Sequence, residues 1–294
     1  SWQAISESQA FQIICTYLAV QAVLGIIMIE YAWHKTPRYR TKNEERDGSY
    51  PSYRRLDAKK LVRRRFYPGA MLMMPSRLIL FVVNLATMVF LVRVLCIGHN
   101  FDRKPLGGCR KKVVFFVVRW FCQFMLWFGG IRLSVRELDF DYSAYLGPNY
   151  KKDTRRSPVT STIVSNHVTW MDSIIMARVF SPSFTPKIEL KSAPLLGTLG
   201  MCLNNIWMPR GRSDEAKKAA LDAIMERQEI VEQDESLAPI LVFAEGGITN
   251  NTGLITFKKG PFYAEKTVKP IFMKFDRKAF SPAFNMPLLP LIFM

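Results

Sequence analysis

The chain has few of the residues from which metal sites and disulfide frameworks are built. Its 294 residues include three histidines and five cysteines. The histidines are spread over the whole chain, and the cysteines are odd in number and form no C-x-x-C pair: Cys15, Cys96, Cys109, Cys122 and Cys202. These patterns predict neither a metal site nor a disulfide framework. The sequence also lacks the D-x-D-x-D-G run of a calcium loop. We therefore predict a protein without a metal or a bound cofactor.

Acidic residues are scarce, with 24 Asp or Glu against 41 Lys or Arg and a formal charge of +17. The segment from Trp33 to Arg77 holds thirteen Lys or Arg and four Asp or Glu, a net of +9. A nucleic-acid binder usually carries such charge on a folded element with aromatic side chains for stacking. Here the basic segment lies between two long apolar runs, as in the cytosolic juxtamembrane segments that are attracted to anionic lipids. This position predicts a phospholipid membrane as a partner, and no nucleic acid.

Three apolar runs indicate membrane helices. Phe11 to Ile29 has nineteen uncharged residues and is long enough to span hydrocarbon about 30 Å thick. Leu78 to Ile97 and Val113 to Phe128 have twenty and sixteen residues and contain Arg93 and Arg119. The third run reaches only roughly 24 Å, which favours a hairpin that dips into one leaflet, with both arginines reaching headgroups or bonding inside the protein. The alternatives are two tilted spanning helices or buried core helices.

The rest of the chain has the alternation of an α/β domain. Val159 to Val164, Ile240 to Ala244 and Val268 to Phe275 are predicted strands, and Ser213 is a predicted N-cap of a helix that runs to about Gln233. We expect an α/β fold with a central, mostly parallel sheet flanked by helices and preceded by membrane helices. The predicted divisions are 1–32, an N-terminal transmembrane helix; 33–77, a basic linker; 78–130, a membrane-embedded helical hairpin; 131–280, the α/β domain; and 281–294, an apolar C-terminal segment.

One histidine lies at a junction suited to chemistry. His167 follows a β-branched run, Thr160 to Val164, and precedes a helix-like segment, Trp170 to Val179, that contains Asp172. Five residues along a helix amount to a rotation of about 140°, so the two side chains meet only if His167 lies ahead of the first turn. Asp172 can then hold one imidazole nitrogen while the other accepts a proton. The alternative is a histidine with a purely structural role.

Three further stretches carry weaker signals. Gly200 to Arg212 reads as the end of a strand-like run, with Arg210 and Arg212 just before a helix N-terminus, an arrangement typical of a phosphate site or of a solvated basic turn. Phe243 to Asn250 places Glu245 and two glycines at a strand end, and the alternative is an ordinary strand-to-loop turn. Thr256 to Phe262 adds Lys258 and Lys259 near that loop.

In this order the blocks resemble the glycerolipid acyltransferase family. Its signature is an Asn-His-x4-Asp block, a strand ending in Arg, an F-P-E-G-T block and a later apolar strand with Pro. The matching residues are Asn166, His167 and Asp172; Gly200 and Arg210; Phe243, Glu245 and Gly246; and Val268 and Pro270. The run E-G-x-x-T-N, with Thr249 and Asn250, followed by L-I-T-F-K-x-G-x-F looks like the lysophosphatidylcholine acyltransferase branch. Ala244 and Gly247 depart from the usual Pro and Thr.

The resemblance implies transfer of a fatty acyl group from acyl-CoA, as co-substrate, to the free hydroxyl of a lysophospholipid. His167 would act as general base with Asp172 orienting it, and backbone N–H groups near Gly246 would face the oxyanion. Neither Ser165 nor Cys202 is a predicted nucleophile, because a thioester is already activated. The substrate-binding residues that the resemblance implies are Asn166, Arg210, Glu245, Gly246, Gly247, Thr249, Asn250 and Lys258.

Two other functions stay open at this point. The E-G-G turn, in which Ala244 and Gly247 stand in place of the usual Pro and Thr, is consistent with a non-catalytic structural or lipid-binding subunit of a membrane complex. The shared motifs also fit an enzyme that uses lysophosphatidic acid or glycerol-3-phosphate. The basic segment predicts a membrane location with the α/β domain in the cytosol. We expect the membrane to be that of the endoplasmic reticulum, with a mitochondrial membrane as the alternative.

Overall fold

The computed structural model describes residues 2–37, 43–54, 57–101, 104–138, 141, 143–150, 160–193, 196–208, 213–234, 237–276 and 281. Helices dominate the first half of the chain and alternate with strands in the second half. The helices are α1 Trp2–Lys35, α2 Glu44–Ser49, α3 Tyr67–Leu72, α4 Met74–Leu95, α5 Gly108–Phe128, α6 Ser143–Leu146, α7 Asp172–Val179, α8 Leu196–Cys202 and α9 Asp214–Gln233. The strands are β1 Thr162–Ser165, β2 Ile240–Phe243 and β3 Val268–Ile271.

The three strands form a parallel sheet in the order β2-β1-β3, which confirms the predicted fold class. All four residues of the central strand β1 are buried, as expected for a parallel strand with neighbours on both sides. Strand β3 contains Pro270, which lacks an N–H group, and it lies on the edge where that loss is tolerated. The predicted Val159 lies outside the described residues, and β3 ends at Ile271 rather than at Phe275.

Helix α9 begins as the sequence predicts. The Ser213 hydroxyl accepts the backbone N–H of Ala216 at 3.2 Å, and Asp214 and Glu215 occupy the first turn near the positive end of the helix dipole. The inner face of the helix includes buried Ile224, which packs with Ile240 of β2. This capped helix therefore covers one side of the sheet.

Helices α4 and α5 pack against each other and also against the α/β domain. Asn84 of α4 donates to the Phe121 carbonyl of α5 at 3.0 Å. Near the end of α4, Arg93 donates to the Thr198 hydroxyl at 3.1 Å, and the Cys96 and Cys202 sulfurs lie 3.5 Å apart. On α5, Arg119 donates to the Ser181 hydroxyl at 2.9 Å. Both arginines thus bond inside the protein, which is one of the two predicted outcomes.

Helix α5 is longer than the apolar run that predicted it. It has 21 residues because Gly108 to Lys112, which include the basic residues Arg110, Lys111 and Lys112, continue the helix on its N-terminal side. Its length is therefore roughly 31 Å at 1.5 Å per residue. By length and composition, the two helices in the described residues that are able to cross a membrane are Ser8–Lys35 and Met74–Leu95.

The second half of α1 packs closely on α3. A Cβ at Gly25 would lie 2.1 Å from the Ala70 carbonyl oxygen, so glycine is required at this crossing. Gln21 donates to the Leu72 carbonyl at 2.6 Å, and Glu30 pairs with Arg63 at 2.9 Å. These contacts attach the basic linker to α1.

The strand-like interpretation of the stretch from Gly200 is wrong for its first residues. Gly200 to Cys202 belong to helix α8, and extended backbone follows only later, with a bridge between Met208 and Lys187. Glycine here serves close packing, since a Cβ at Gly197 would lie 2.1 Å from the Lys191 carbonyl oxygen and one at Gly200 would lie 2.4 Å from the Trp207 ring. Both glycines are therefore sites of close contact on a helix.

Candidate active site

The register of the sheet brings three chain segments together at the carboxyl ends of the strands. Ser165 at the end of β1 pairs with Phe243 of β2 on one side and with Ile271 of β3 on the other. His167, Glu245 and Met273 each follow one of these residues by two positions. The loops after parallel strands lie at the same edge of a sheet, which is a usual place for binding and catalysis.

His167 and Asp172 form a hydrogen-bonded pair at this edge of the sheet. His167 Nδ1 lies 2.8 Å from Asp172 Oδ2, and the same oxygen accepts the backbone N–H groups of Val168 at 2.6 Å and Thr169 at 2.9 Å. Asp172 is fully buried and is the first residue of α7. Since a carboxylate only accepts, Nδ1 carries the proton and Nε2 presents its lone pair.

The imidazole is held in place by a second ring. The Phe243 ring stacks on the His167 ring with centroids 4.0 Å apart and an angle of 10° between the planes. The His167 side chain is 19% exposed, so part of the ring remains accessible. The stacking and the Asp172 bond together fix both the plane and the tautomer of the ring.

Glu245 holds the backbone of the histidine. Its Oε2 accepts the His167 N–H at 2.8 Å, although Glu245 itself is only 2% exposed. The Thr249 N–H donates to the His167 carbonyl at 2.8 Å. The loop after β2 therefore bonds both backbone groups of His167. This arrangement places Glu245 and Thr249 as positioning residues, and direct contact between either one and substrate stays a prediction.

Asn166 connects the central strand to β3 and to the loop after β2. Its Oδ1 accepts the Met273 N–H at 2.8 Å, and its Nδ2 donates to the Met273 carbonyl at 3.0 Å. The same Nδ2 lies 3.3 Å from Asn251 Oδ1. The buried side chain therefore holds the strand ends together, and its role in substrate binding stays a prediction.

Asn250 binds a segment that is distant in sequence. We call residues 51–54 the strap. Asn250 Nδ2 donates to the Pro51 carbonyl at 2.8 Å and to the Arg54 carbonyl at 2.9 Å, and its backbone N–H donates to the Ser52 carbonyl at 2.8 Å. The strap is part of the predicted basic linker, yet it lies directly on the loop after β2. Sequence reasoning missed this contact, since no local pattern connects segments 196 residues or more apart.

The two glycines after Glu245 differ in what surrounds them. Gly246 has φ +71°, and its N–H donates to the Phe243 carbonyl at 3.0 Å, while oxyanion donors among the backbone N–H groups near Gly246 stay a prediction. A Cβ at Gly246 would lie 3.1 Å from Lys258 Cε, which places the exposed Lys258 beside the turn. A Cβ at Gly247 would meet the Tyr53 hydroxyl at 3.6 Å.

Other predicted residues lie elsewhere or outside the described part. Arg210 and Arg212 fall on residues that the structure does not describe, so the phosphate clamp stays a prediction. Ser165 is fully buried. Burial, together with the neighbouring Cys96, raises the pKa of the Cys202 thiol well above its ordinary value. Neither side chain has the exposure or the acidity that a nucleophile needs.

Comparison with known proteins places this site in a family. The family model described as Acyltransferase matches residues 150–291. A lysophospholipid acyltransferase of Arabidopsis thaliana is 32% identical over 123 residues, which is 42% of this chain and 31% of that protein. The lysophosphatidylcholine acyltransferase of Drosophila melanogaster is 26% identical over 217 residues, 73% of this chain and 37% of that protein. Human glycerol-3-phosphate acyltransferase 4 is 33% identical over 125 residues, 41% of this chain and 25% of that protein.

Residues 150–291 belong to the glycerolipid acyltransferase family and resemble its lysophosphatidylcholine acyltransferase-like branch. The chain spans about a third of the length of the first two relatives, 31% and 37%. Among solved structures, the 1-acyl-sn-glycerophosphate acyltransferase PlsC of Thermotoga maritima aligns with a TM-score of 0.44 and 16% identity, covering 67% of this chain and 74% of that one.

Proposed function

We propose that this protein transfers a fatty acyl group from acyl-CoA to the free hydroxyl of a lysophospholipid of the lysophosphatidylcholine type, with His167 as general base. The observation that carries the proposal is the pair formed by His167 Nδ1 and the buried Asp172 Oδ2 at 2.8 Å. This pair lies at the carboxyl ends of the parallel strands, and Nε2 is the ring nitrogen left to accept a proton. General base catalysis of this kind contributes about 10²–10⁴-fold.

The proposed reaction is a direct transfer. His167 Nε2 takes the proton from the acceptor hydroxyl while the hydroxyl oxygen attacks the thioester carbonyl carbon. The carbon–sulfur bond then breaks, and the imidazolium returns the proton to the CoA thiolate. The products are the phospholipid ester and free CoA. Asp172 stabilises the imidazolium that forms between the two steps, because its charge lies against Nδ1.

The packing of the hairpin supports a particular attachment to the membrane. Helix α4 contacts the α/β domain through Phe81 and Trp170, whose rings lie 6.0 Å apart, and again through Arg93 and Cys96 near its other end. A helix that crosses a bilayer at a steep angle carries its two ends to opposite sides, about 30 Å apart. The contacts with the domain extend from Phe81 to Cys96, roughly 22 Å along the helix axis, which is most of that thickness. This spread favours a hairpin lying in one leaflet over two spanning helices. We place the domain on the cytosolic side of the endoplasmic reticulum, with a mitochondrial membrane as the alternative.

The acceptor is the part of the proposal for which a specific alternative exists. Human glycerol-3-phosphate acyltransferase 4 is among the relatives of this chain, and its name gives a different acceptor. Glycerol-3-phosphate and lysophosphatidic acid therefore belong in every test. A phosphate clamp at Arg210 would serve all of these acceptors, since each carries a phosphate.

The test is an assay of the purified, detergent-solubilised protein with labelled oleoyl-CoA. The acceptors are lysophosphatidylcholine, lysophosphatidylethanolamine, lysophosphatidic acid and glycerol-3-phosphate, and both the lipid product and free CoA are quantified. We expect the highest kcat/KM with lysophosphatidylcholine. A preference for glycerol-3-phosphate would replace the acceptor assignment. No transfer to any acceptor by a folded protein would favour a structural or lipid-binding subunit of a membrane complex.

A further inference from the structure

The strap, residues 51–54, is bound to the loop that holds the proposed general base. It forms a short 3-10 turn, in which the Tyr53 N–H donates to the Tyr50 carbonyl at 3.0 Å and the Arg54 N–H donates to the Pro51 carbonyl at 3.3 Å. Three hydrogen bonds from Asn250 reach the carbonyls of Pro51, Ser52 and Arg54. The strap is therefore fixed to the α/β domain along its whole length.

Asn250 makes this attachment with a fully used side chain. Its Oδ1 accepts the Thr252 N–H at 3.1 Å and the Thr252 hydroxyl at 2.7 Å, while Nδ2 donates to the strap. The residue is only 4% exposed. Its neighbour Thr249 donates its backbone N–H to the His167 carbonyl. The adjacent residues Thr249 and Asn250 thus connect the backbone of the histidine to the strap.

The strap places an aromatic ring over the glycine turn. A Cβ at Gly247 would lie 3.6 Å from the Tyr53 hydroxyl oxygen and 3.7 Å from Tyr53 Cε1, which is ordinary van der Waals contact. Tyr53 is nevertheless 42% exposed as a residue, so part of it remains accessible. The family that the chain resembles usually has threonine at the position of Gly247. In this protein the Tyr53 side chain lies beside that position.

We infer that the strap is a wall of the acyl-acceptor pocket and that Tyr53 is a specificity-determining residue that contacts the phosphodiester head of the acceptor. The inference rests on the proposed function. A phenol offers an O–H donor for a phosphate oxygen and a ring for the adjoining apolar groups. The basic linker thereby contributes a residue to the site, in addition to its charge.

The first experiment measures the kinetics of Tyr53→Phe and Tyr53→Ala, with Tyr50→Phe as the matched control on the same segment. Loss of one hydrogen bond to the acceptor should raise its KM roughly three- to tenfold in Tyr53→Phe, and at least as much in Tyr53→Ala. The KM for acyl-CoA should stay within about twofold of wild type, since the contact is confined to the acceptor. Tyr50 is 62% exposed and its Phe variant should match wild type.

The second experiment tests whether the ring lies at Gly247 during catalysis. Gly247→Thr is measured alone and together with Tyr53→Ala, and the effects on the acceptor KM are compared. Contacting residues give non-additive effects, so we expect the double variant to differ from the product of the single effects by at least about twofold. Strictly additive effects would show that the two residues do not meet in the working enzyme.

Two outcomes separate this inference from the proposed function. If both Tyr53 variants keep the wild-type acceptor KM while His167→Ala is inactive, the inference that the strap contacts the acceptor is wrong. The proposed acyltransferase function is then unaffected. If the wild-type protein transfers to no acceptor, the proposed function fails and the inference fails with it. A KM change for acyl-CoA alone would also overturn the inference, because it would place Tyr53 at the donor.

Discussion

Glu245 Oε2 accepts the backbone N–H of His167 at 2.8 Å, which connects two loops that are 78 residues apart in sequence. The same oxygen lies 3.4 Å from the Thr249 hydroxyl, and Oε1 lies 3.4 Å from the Ile255 N–H. A buried carboxylate at a strand end is costly unless it is hydrogen-bonded, and these donors supply the bonds. Glu245 therefore fixes the backbone that presents the imidazole.

Replacing Glu245 by glutamine should weaken this support. Glutamine has one acceptor oxygen, so its amide nitrogen must face one of the donors that Glu245 satisfies, at a cost of about 1–3 kcal/mol. We expect a lower thermal midpoint and at least a roughly tenfold lower kcat, because a displaced base loses its geometry. The measurements are thermal unfolding followed by tryptophan fluorescence and steady-state kinetics.

The matched control for this change is Glu226→Gln, since Glu226 is exposed on α9. It should leave both quantities near wild type. Wild-type kcat and midpoint in Glu245→Gln would contradict a positioning role for the carboxylate.

Asp172→Asn should keep the structure of the loop and lower the rate. The amide oxygen can take the place of Oδ2 and keep its hydrogen bonds. The new NH2 group would take the place of Oδ1, which is buried without a hydrogen-bond partner in the described part of the chain, so no existing bond is lost there. The loss of charge removes the stabilisation of the imidazolium, so kcat should fall by at least about a hundredfold. The measurement is kcat with saturating substrates, with circular dichroism to check folding. Asp222→Asn, on the exposed face of α9, is the control. A wild-type rate would reduce Asp172 to a residue that only orders the start of α7.

Arg210→Ala should raise the KM for the lyso-acceptor and leave kcat nearly unchanged. A clamp on a phosphate that is present in both ground state and transition state contributes uniform binding, and its loss therefore appears in KM. Arg210→Lys should restore part of the affinity, because an ammonium does not reproduce the two parallel bonds of a guanidinium. Lys218→Ala, on the exposed face of α9, serves as the control. A change confined to acyl-CoA would show that the clamp binds the donor.

Much of the fold follows from local pattern, whereas much of the site does not. The buried β-branched run before His167 and the Ser213 cap are local signals, and both strand β1 and helix α9 form there. The bond between Glu245 and His167 depends on the register of β1 against β2, which no local pattern specifies. The resemblance to a family identified both residues as important without showing that one holds the other.

The residues with unexpected roles bond partners that are distant in sequence. Asn250 forms part of an N-x-T sequence in a loop and binds the strap, and Asn166 binds Met273 at the end of β3. A local pattern gives the type of side chain but not the distant carbonyl that it meets. The predicted strand-like character from Gly200 was wrong for a related reason, since the glycines of α8 are explained by contacts with Lys191 and Trp207.

The orientation of the domain can be tested at the same asparagine. Asn250, Asn251 and Thr252 form a glycosylation sequence, but Asn250 Nδ2, the atom that would carry the glycan, donates to the strap and is enclosed. We expect Asn250 to be unmodified. In sealed microsomes, trypsin added outside should digest the α/β domain, whose exposed sites include Lys217 and Lys218.

A luminal marker protein that stays intact is the control for this topology experiment. A glycosidase-sensitive mass shift at Asn250 would contradict the cytosolic orientation. Full protection of the domain until detergent is added would do the same. Either result would also remove the cytosolic supply of acyl-CoA that the mechanism requires.

The central claim is that His167 is the general base of acyl transfer, and turnover by His167→Ala tests it most directly. The variant is compared with wild type in the oleoyl-CoA assay, and its folding is checked by thermal unfolding. We expect it to fold, because the partly exposed ring adds only modest packing against Phe243. We predict a folded protein whose kcat is lower by at least about a hundredfold. Unchanged turnover in a folded His167→Ala protein would contradict the account.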